Sequence, residues 1–509
     1  MTTDLAACEA VVRAKLQPPV ERIETHAAVI LLGGDEAYKL KKRVAYSFLD
    51  FRTLASRERA LRNELKLNRR TAPDLYLGVL PISIAAGRLE LDGEGEPVDW
   101  VLAMRRFPQS ARLDHVAERE GLSDRLIEAL GQEIARFHGT LEPRRDRGGA
   151  AAHREIEEGN EEDLRRSVPA IFDEASVEAF VVRVRQAREA IEPLLEQRRA
   201  EGFVRLCHGD LHLEHLALVD GGPILFDAIE FNDAFAEIDT IYDIAFLVMD
   251  LLERRQAEAA WRLLDAYVET SFDHDGLALL PFFLATRAAI RAKIEGFAGH
   301  RAAAHAYLAF AMRSLDPSCA RLVAVGGLSG TGKTTLARSL APGLGADPGA
   351  VLLRSDVTRK HILGHEPTER LGADAYRSEV SERVFEAMFA IAGRLLAGGR
   401  SVVLDAVFAR PEQRAQASAV AVDAGVPFFG LWLEASREER LQRVGQRECD
   451  ASDADAHVVA LQEGYDVGEV EWQRIDTHAG LDASRREALR ALGMPDAGTV
   501  GSGSRPGDR

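Results

Sequence analysis

Alternating apolar and polar positions dominate the first hundred residues and predict a small sheet. The stretches HAAVILLGG (26–34) and EAYKLKKRV (36–44) are separated by a Gly-Gly pair, which is typical of a β-hairpin. Residues 55–82 predict an amphipathic helix, a loop and a strand, and residues 87–107 predict two strands around an acidic turn. The apolar spacing then becomes helical, apart from a loop at 206–231. The pattern therefore predicts a sheet-rich small lobe followed by a larger helical lobe.

The chain changes character at residues 314–321, SLDPSCAR. The next stretch, RLVAVGGLSGTGKTTLARSL (321–340), predicts a buried strand, a glycine-rich loop and a helix, which is how α/β domains commonly begin. Further strands are predicted at 349–356, 400–408, 426–436 and 471–477. We therefore predict an α+β domain over 1–316, an α/β domain with a parallel sheet over 317–495, and a disordered tail over 496–509.

The composition limits the function classes. The 509 residues are 46% hydrophobic and carry a formal net charge of −17, which suits a globular protein of two or three domains. General binding to nucleic acid or to an anionic membrane needs clustered Lys and Arg, so neither partner is expected. The four cysteines form no CxxC pair, which favours a reducing, cytoplasmic location. We expect no signal peptide, and the longest apolar run, 277–290, is too short to span a bilayer.

The segment GLSGTGKT (327–334) matches the phosphate-binding pattern G-x-x-x-x-G-K-[ST], between a predicted strand and a predicted helix. Glycines let backbone N–H groups turn around phosphate oxygens, Lys333 reaches the β- and γ-phosphates, and Thr334 supplies a hydroxyl to Mg²⁺. A structural glycine-rich turn is the alternative. The predicted nucleotide-binding residues here are Gly327, Ser329, Gly330, Thr331, Gly332, Lys333, Thr334 and Thr335.

Two later strands end in acidic residues. The strand at 349–356 ends in Asp356, which is placed to act on an acceptor hydroxyl. The strand at 400–408 carries Asp405 after an apolar run, the form of a carboxylate that holds the Mg²⁺ shell. A helix cap or a solvated turn is the alternative for Asp405.

Arginines follow the strand at 426–436 with a spacing that puts several on one helix face. A lid that closes on ATP would use such residues, so we assign Arg443 and Arg447 to nucleotide binding. A solvated helix with salt bridges is the alternative. The motifs GLSGTGKTT, RSDVTRK, VVLDAVFARPEQR and RECDASDA resemble the P-loop kinase group of gluconate kinases, zeta-toxin-like kinases and small AAA ATP-binding domains. This resemblance, over residues 321–480, implies a lid at 437–453 and makes Asp356 the acid or base at the acceptor site.

The stretch HGDLHLEH (208–215) precedes two short apolar strands joined by an Asp-Gly-Gly turn, and Asp227 closes the second of them. A catalytic loop, a hairpin and a strand-ending Asp form the layout of protein-kinase-like phosphotransferases. In that layout Asp210 accepts or orients the proton of the acceptor hydroxyl, and Asp227 binds the Mg²⁺ that bridges the phosphates.

This part of the chain, residues 20–312, resembles the aminoglycoside phosphotransferase (choline-kinase-like) family, whose catalytic loop is H-G-D-x-x-x-x-N. The resemblance implies that Lys39 is the ATP-phosphate lysine, with Lys41 as runner-up, and that Glu64 pairs with it. It places the adenine hinge at residues 103–107. It also implies that Asp243 braces the catalytic loop from a buried helix.

One position departs from that family pattern, because His215 stands where the family has Asn. An imidazole nitrogen is a poorer ligand for Mg²⁺ than an amide oxygen. We keep His215 as a predicted metal ligand of a weakened second site. The alternatives are a dedicated zinc site in HLEH, or a kinase-like domain that binds ATP poorly.

The two halves together resemble a bacterial architecture known as bifunctional aminoglycoside phosphotransferase/ATP-binding protein. We therefore predict a bilobal protein-kinase-like domain followed by a P-loop NTPase domain. The predicted activity is ATP- and Mg²⁺-dependent phosphate transfer to an unidentified small-molecule hydroxyl acceptor. One alternative is that only the P-loop domain is catalytic and the first domain binds or regulates. Another is a nucleotide-dependent switch ATPase without an acceptor.

Overall fold

A computed structural model describes residues 4–46, 49–446 and 451–495. The chain folds into two compact units, an N-terminal unit of Met1–Arg254 and Thr286–Leu308 and a C-terminal unit of Arg255–Ala285 and Ala309–Arg509. The predicted tail lies outside the described residues. The domain boundary predicted at residue 316 stays a prediction.

The strands are, in chain order, β1 (Glu21–Glu24), β2 (Ala28–Gly33), β3 (Glu36–Lys41), β4 (Ala45–Tyr46), β5 (Leu49–Asp50), β6 (Tyr76–Ala85), β7 (Arg88–Leu91), β8 (Glu96–Arg105), β9 (Val204–Leu206), β10 (Leu216–Val219), β11 (Gly222–Leu225), β12 (Glu237–Asp239), β13 (Leu322–Gly326), β14 (Val351–Arg354), β15 (Val402–Asp405), β16 (Phe428–Glu434) and β17 (Gln473–Asp476). The α-helices are α1 (Leu5–Arg13), α2 (Leu54–Asn68), α3 (Leu113–Arg119), α4 (Asp124–Thr140), α5 (Gly149–Arg166), α6 (Glu174–Glu201), α7 (Thr240–Glu253), α8 (Ala257–Ser271), α9 (Leu280–Phe297), α10 (Arg301–Ser314), α11 (Lys333–Leu340), α12 (Ser355–Ile362), α13 (Ser378–Ala397), α14 (Pro411–Asp423), α15 (Arg437–Gly445), α16 (Ala456–Gln462) and α17 (Leu481–Ala491).

The small lobe of the N-terminal unit is an antiparallel sheet with the order β1-β2-β3-β8-β6-β7. The predicted hairpin is present, since β2 pairs with β3 and Ile30 lies opposite Lys39. Successive side chains of a strand alternate between the two faces of the sheet. Tyr38 and Leu40 therefore join the apolar core that Val12 of α1 completes. Lys39 and Lys41 lie on the other face, where both contact a glutamate of α2.

The larger lobe is helical, and α7 runs through its core with Thr240 to Leu251 all buried. Asp239 caps this helix, because its side chain accepts a hydrogen bond from the N–H of Ile241 (2.8 Å). The short strands β10 and β11 form an antiparallel hairpin between the loops that carry Asp210 and Asp227. The bilobal arrangement predicted from the sequence is confirmed.

The C-terminal unit contains a five-stranded sheet with the order β14-β15-β13-β16-β17, and every neighbouring pair is parallel. Its strand positions agree with the five apolar stretches predicted from the sequence. The central strand β13 has β15 on one side and β16 on the other. Ligands of open α/β sheets bind at the carboxyl ends of the strands beside such a switch point. The order therefore places the candidate site at the end of β13.

The segment 255–285 belongs to the C-terminal unit, although it lies far before the predicted start of that domain. Trp261 of α8 is buried in the apolar core of this unit and donates from Nε1 to the carbonyl oxygen of Ala350 (2.8 Å). The apolar spacing of this segment predicted a helix but not its packing partner. Within the ranges that the structure describes, no helix is long and apolar enough to cross a membrane.

Candidate active sites

The phosphate-binding loop joins β13 to α11. Gly327 and Gly330 have φ angles of 139° and 85°, which L side chains rarely adopt. A Cβ on Gly330 would also lie 2.6 Å from the carbonyl oxygen of Arg440, and one on Gly327 would lie 2.6 Å from that of Leu433. Both backbone conformation and space therefore require glycine at these positions, and the resulting turn is one that can surround an anion with N–H groups.

The polar side chains of this loop meet the end of β15. Thr334 donates from Oγ1 to Oδ2 of Asp405 (2.6 Å), and Lys333 Nζ donates to the carbonyl oxygen of Leu328 (3.2 Å). Burial raises the pKa of Asp405 above its ordinary value, although Lys333 and Arg354 act in the opposite direction. A hydroxyl and a carboxylate are both hard oxygen ligands. The residues present at this site therefore fit Mg²⁺.

A second carboxylate, which the sequence did not indicate, reaches this site through an arginine. Arg354 ends β14 with its Nε 3.8 Å from Oδ2 of Asp405. Glu269 of α8 contacts the same guanidinium (Oε1 to Nη1, 3.2 Å) and also contacts Arg338 (Oε2 to Nη2, 3.5 Å). Only tertiary structure brings Glu269 here, since it lies 85 residues before Arg354.

Asp356 lies in the first turn of α12, directly after β14. The structure therefore brings it to the same edge of the sheet as Asp405, and its charge adds to the effect of burial that raises the pKa of Asp405. The predicted role of Asp356 toward an acceptor stays a prediction.

The predicted lid arginines contact the backbone of the phosphate-binding loop. Arg443 donates from Nη1 to the carbonyl oxygen of Thr331 (3.5 Å), and Arg440 donates from Nε to that of Ser329 (2.9 Å). The N–H of Ser329 donates to Oε1 of Gln462 (2.7 Å). The sequence predicts no role for Gln462. The helices α15 and α16 are therefore anchored to the loop by side chains.

The remaining predicted residues of this unit are Thr335, Thr331 and Arg447. Thr335 is exposed in the first turn of α11, and the Thr331 hydroxyl donates to the carbonyl oxygen of Leu328 (2.8 Å) within the loop. Arg447 lies outside the described residues.

The candidate site of the N-terminal unit is built on a network of five charged side chains, three of which, Lys39, Lys41 and Glu64, are buried. Lys39 Nζ lies 2.7 Å from a carboxylate oxygen of Glu64 and 2.7 Å from one of Asp227. Lys41 Nζ lies 2.7 Å from the other oxygen of Glu64 and 2.5 Å from Glu230. Glu64 is fully buried between the two lysines. The structure thus brings together both lysines that the sequence left open as alternatives.

Charge pairing shifts the pKa values of Lys39 and Asp227 in this network. Burial alone would lower the pKa of Lys39, but the carboxylates of Asp227 and Glu64 outweigh it and raise that pKa well above its ordinary value. Burial alone would raise the pKa of Asp227, but Lys39 lowers it below its usual range. Both groups therefore stay charged at neutral pH.

Asp227 is held by contacts of its own backbone. Its φ angle is 60°, and its N–H donates to the hydroxyl of Tyr76 (3.0 Å). The next N–H, of Ala228, donates to Oδ1 of Asn68 (2.9 Å). An apolar pocket opens beside Lys39 and Asp227 and includes part of the predicted hinge; its lining includes Ile23, Ile30, Ala37, Met104, Phe107 and Phe226. An aromatic base would fit such walls, with its phosphates toward Lys39.

The loop at 208–215, predicted to be catalytic, is braced by Asp243 of α7, as the family resemblance implied. Its carboxylate accepts from the N–H groups of His208 (3.0 Å) and Gly209 (2.8 Å), and it contacts Nε2 of His138 (3.1 Å). Arg287 donates to the carbonyl oxygen of Gly209 (3.1 Å). Asp243 is completely buried, so its contacts set the backbone path that presents the loop.

Asp210 projects from this loop beside two imidazoles. Its Oδ2 lies 3.6 Å from Nε2 of His212 and 3.4 Å from Nδ1 of His215. Burial would raise the pKa of Asp210, but His212 and His215 lower it far below its ordinary value. Such a carboxylate is a weak base, so it is better suited to orient an acceptor hydroxyl than to remove its proton early.

His215 lies between the two aspartates. Its Nδ1 is 2.9 Å from the carbonyl oxygen of Asp210, and its Nε2 is 3.7 Å from Oδ2 of Asp227. The Asp227 carboxylate fits the Mg²⁺ that kinase-like folds use, because Mg²⁺ accepts carboxylate oxygens readily. The His215 imidazole does not fit that ion, because Mg²⁺ prefers oxygen ligands.

Comparison with protein families agrees with both units. Residues 41–280 match the family model "Phosphotransferase enzyme family", and residues 322–465 match the model "AAA domain". Uncharacterised proteins of Mycobacterium tuberculosis and Mycobacterium bovis are each 33% identical to this chain over 491 residues, which are 93% of this chain and 95% of theirs. The chain therefore belongs to the same family as these proteins, and it carries a phosphotransferase-family domain followed by an AAA domain.

Two solved structures, each of low sequence identity, resemble parts of the chain. A choline/ethanolamine kinase family protein from Mesorhizobium loti covers 62% of this chain and 95% of its own, with 16% identity and a TM-score of 0.40. A gluconokinase from Sinorhizobium meliloti covers 34% of this chain and 93% of its own, with 21% identity and a TM-score of 0.25.

Proposed function

We propose that the protein is an ATP-dependent phosphotransferase with two nucleotide sites, each of which transfers the γ-phosphate to a hydroxyl acceptor. The observation that carries the proposal is the pairing of Lys39 with both Glu64 and Asp227 at 2.7 Å. This pairing joins a strand, a helix and the loop after β11 into one charged site. It supports the presence of a complete site in the N-terminal unit, although His215 departs there from the family pattern.

In the N-terminal unit, Lys39 would bind the phosphates of ATP, and Glu64 would hold that lysine in place. Asp210, charged at neutral pH, would accept the hydrogen bond of the acceptor hydroxyl and aim its oxygen at the γ-phosphate. The bracing of the loop by Asp243 supports this role, because a fixed loop keeps the reacting oxygen in line.

In the C-terminal unit, the N–H groups of the loop 327–334 and the ammonium of Lys333 would bind the phosphates. Thr334 and Asp405 would hold Mg²⁺, which neutralises phosphate charge when it is bound. Arg443 would close over the nucleotide, and Asp356 would orient the acceptor hydroxyl. We also propose that this catalytic domain begins near residue 317, and the start of the AAA match at residue 322 supports that boundary.

A second candidate function follows from His215. A nitrogen in place of an amide oxygen weakens a Mg²⁺ site, so the N-terminal unit could serve as a binding or regulatory module for a catalytic P-loop unit. A nucleotide-dependent switch ATPase without any acceptor is the third candidate.

The test is an acceptor screen with γ-labelled ATP on the full chain. Lys333→Ala removes the P-loop lysine, and Asp210→Asn removes the loop carboxylate while keeping its size. We expect wild type to label acceptors and each variant to lose one part of that labelling. Full labelling by Asp210→Asn would assign all transfer to the P-loop unit, and ATP hydrolysis without any labelled acceptor would favour the switch.

A further inference from the structure

We propose that the N-terminal site holds a divalent transition-metal ion between Nε2 of His215 and Oδ2 of Asp227, in preference to Mg²⁺. This inference refines the site of the proposed phosphate transfer. It concerns metal binding alone, so it can be measured without ATP and without an acceptor.

A contact with a backbone carbonyl fixes the position of the proton on the His215 ring. Its Nδ1 lies 2.9 Å from the backbone carbonyl oxygen of Asp210. A carbonyl oxygen can only accept, so Nδ1 carries the hydrogen in this contact. In the neutral ring Nε2 then carries a lone pair. Metal-binding histidines are commonly oriented in this way, by donation from the other ring nitrogen to a carbonyl.

The two ligand atoms lie at a separation that suits a shared metal ion. Nε2 of His215 and Oδ2 of Asp227 are 3.7 Å apart, which is too long for a hydrogen bond. Two ligands at about 2.1 Å from one tetrahedral ion are about 3.4 Å apart. A small movement of either side chain would therefore let both atoms bind the same ion.

The two ligand atoms also differ in chemistry from the ligands that Mg²⁺ prefers. A nitrogen and a carboxylate oxygen form a mixed set that Mn²⁺, Co²⁺ and Zn²⁺ accept, whereas Mg²⁺ requires oxygen ligands in near-ideal octahedral geometry. The P-loop site offers the contrast, because Thr334 and Asp405 supply oxygen only. One chain thus presents two sites whose donor atoms favour different ions.

Access to the pair comes from the carboxylate side. The Asp227 side chain is 35% exposed, whereas that of His215 is 18% exposed. His212 lies next to His215, with ring centroids 4.2 Å apart, and its Nε2 faces Oδ2 of Asp210. The test therefore has to separate the two histidines.

The experiment measures binding of Mn²⁺ to the nucleotide-free full chain by electron paramagnetic resonance, with Mg²⁺ and Zn²⁺ as competitors. The variants are His215→Asn, which restores an amide oxygen, and His215→Gln, which guards against a folding defect in the first. His212→Asn tests the neighbour, and His300→Asn is the control at an exposed histidine of the same unit. Any Mn²⁺ bound at the P-loop is the same in all of these proteins and cancels.

We expect the ratio of Mn²⁺ to Mg²⁺ affinity to fall by about tenfold in both His215 variants and to stay unchanged in His300→Asn. Zn²⁺ should displace Mn²⁺ in wild type and should do so less readily in His215→Asn. An unchanged ratio in both His215 variants would overturn the proposal, as would an equal fall in His212→Asn. Failure of the proposed function would instead appear as absent acceptor labelling with this metal preference intact.

Discussion

The two candidate sites hold their principal lysines in opposite ways. Lys39 of the N-terminal unit is buried between the carboxylates of Glu64 and Asp227, and Lys41 contacts the second oxygen of Glu64. Lys333 of the C-terminal unit contacts the carbonyl oxygen of Leu328 in its own loop. The first lysine is thus part of a charge network that joins three elements, whereas the second donates to the backbone of its own loop and also acts to lower the pKa of Asp405.

The difference shows what each unit needs for its own stability. A buried charge is costly unless it is paired, so the N-terminal network requires all of its members even in the absence of a ligand. The P-loop draws much of its anion affinity from backbone N–H groups, whose directions its glycines permit, and side chains of α15 and α16 anchor the loop. The loss of one network member should therefore reduce stability more at the first site than the loss of Lys333 does at the second.

The largest effect is expected from Glu64→Gln. Glu64 is completely buried and contacts both Lys39 and Lys41, so its loss leaves two buried ammonium groups underpaired. We expect the free energy of unfolding of the N-terminal unit to fall by about 3 kcal/mol or more. Urea denaturation with hydrogen exchange of peptides from α2 would measure it. The control is Glu58→Gln on the same helix, an exposed partner of Arg62, which should cost less than about 1 kcal/mol. Equal losses in the free energy of unfolding in the two variants would contradict the claim that the charge network stabilises the N-terminal unit.

A smaller effect is expected from pH, through His153 of the N-terminal unit. Burial, aided by Arg287, lowers the pKa of His153 from 6.5 to about 3. The unfolded chain therefore binds a proton from pH 6.5 downward that the folded unit does not, so stability falls as the pH falls. Between pH 6.5 and pH 4.5 the expected loss is about 2–3 kcal/mol, since one pKa unit corresponds to about 1.4 kcal/mol.

The measurement is urea denaturation of wild type and His153→Gln at both pH values. The variant should lose less stability than wild type over this range, because glutamine does not titrate. The C-terminal unit has a titrating histidine of its own, since burial lowers the pKa of His274 to about 4. Its unfolding transition should keep the same pH dependence in both proteins, and a change there would contradict the assignment.

The sequence predicted the elements that depend on local pattern. The hairpin β2–β3, the P-loop between β13 and α11, and Asp405 at the end of β15 follow from periodicity and from motif spacing. Asp227 is predicted to close a strand, but it lies two residues after the end of β11 with a φ angle of 60°. What it could not predict are contacts set by distant packing. Glu269 reaches Arg354 across 85 residues, and nothing in its local sequence marks it. The donation from His215 to the carbonyl oxygen of Asp210 depends on a ring orientation that only the three-dimensional structure shows.

The next largest effect is expected from Lys333→Met, which tests the second of the two lysines compared above. We expect ATP affinity at the P-loop to fall at least about tenfold, which corresponds to about 1.4 kcal/mol, because the ammonium that faces the phosphates is lost. The free energy of unfolding of the C-terminal unit should fall by about 1 kcal/mol, less than in Glu64→Gln, because Lys333 donates a hydrogen bond to the carbonyl oxygen of Leu328. Calorimetric titration with Mg²⁺ and ATP would show the loss of one binding step. Ser339→Ala, on the same helix, is the control and should bind as wild type does. A large loss of stability in Lys333→Met would show that this lysine is structural after all.

The smallest effect is expected from Glu269→Gln. Glu269 shares the guanidinium of Arg354 with Asp405, at 3.2 Å and 3.8 Å respectively. Without the Glu269 charge, Arg354 should pair more fully with Asp405 and withdraw that carboxylate from a metal ion. We expect the Mg²⁺ concentration for half-maximal ATP binding at the P-loop to rise about threefold, or about 0.7 kcal/mol, with little change in ATP affinity at saturating Mg²⁺. Glu269→Asp should restore part of the effect, and Asp265→Asn, which removes a carboxylate 3.8 Å from Arg338, is the matched control. If Glu269 has only a structural role, its loss would weaken ATP binding equally at every Mg²⁺ concentration. A rise in the Mg²⁺ concentration for half-maximal ATP binding would instead show that Glu269, a residue outside the AAA match, positions the metal ligand of the P-loop.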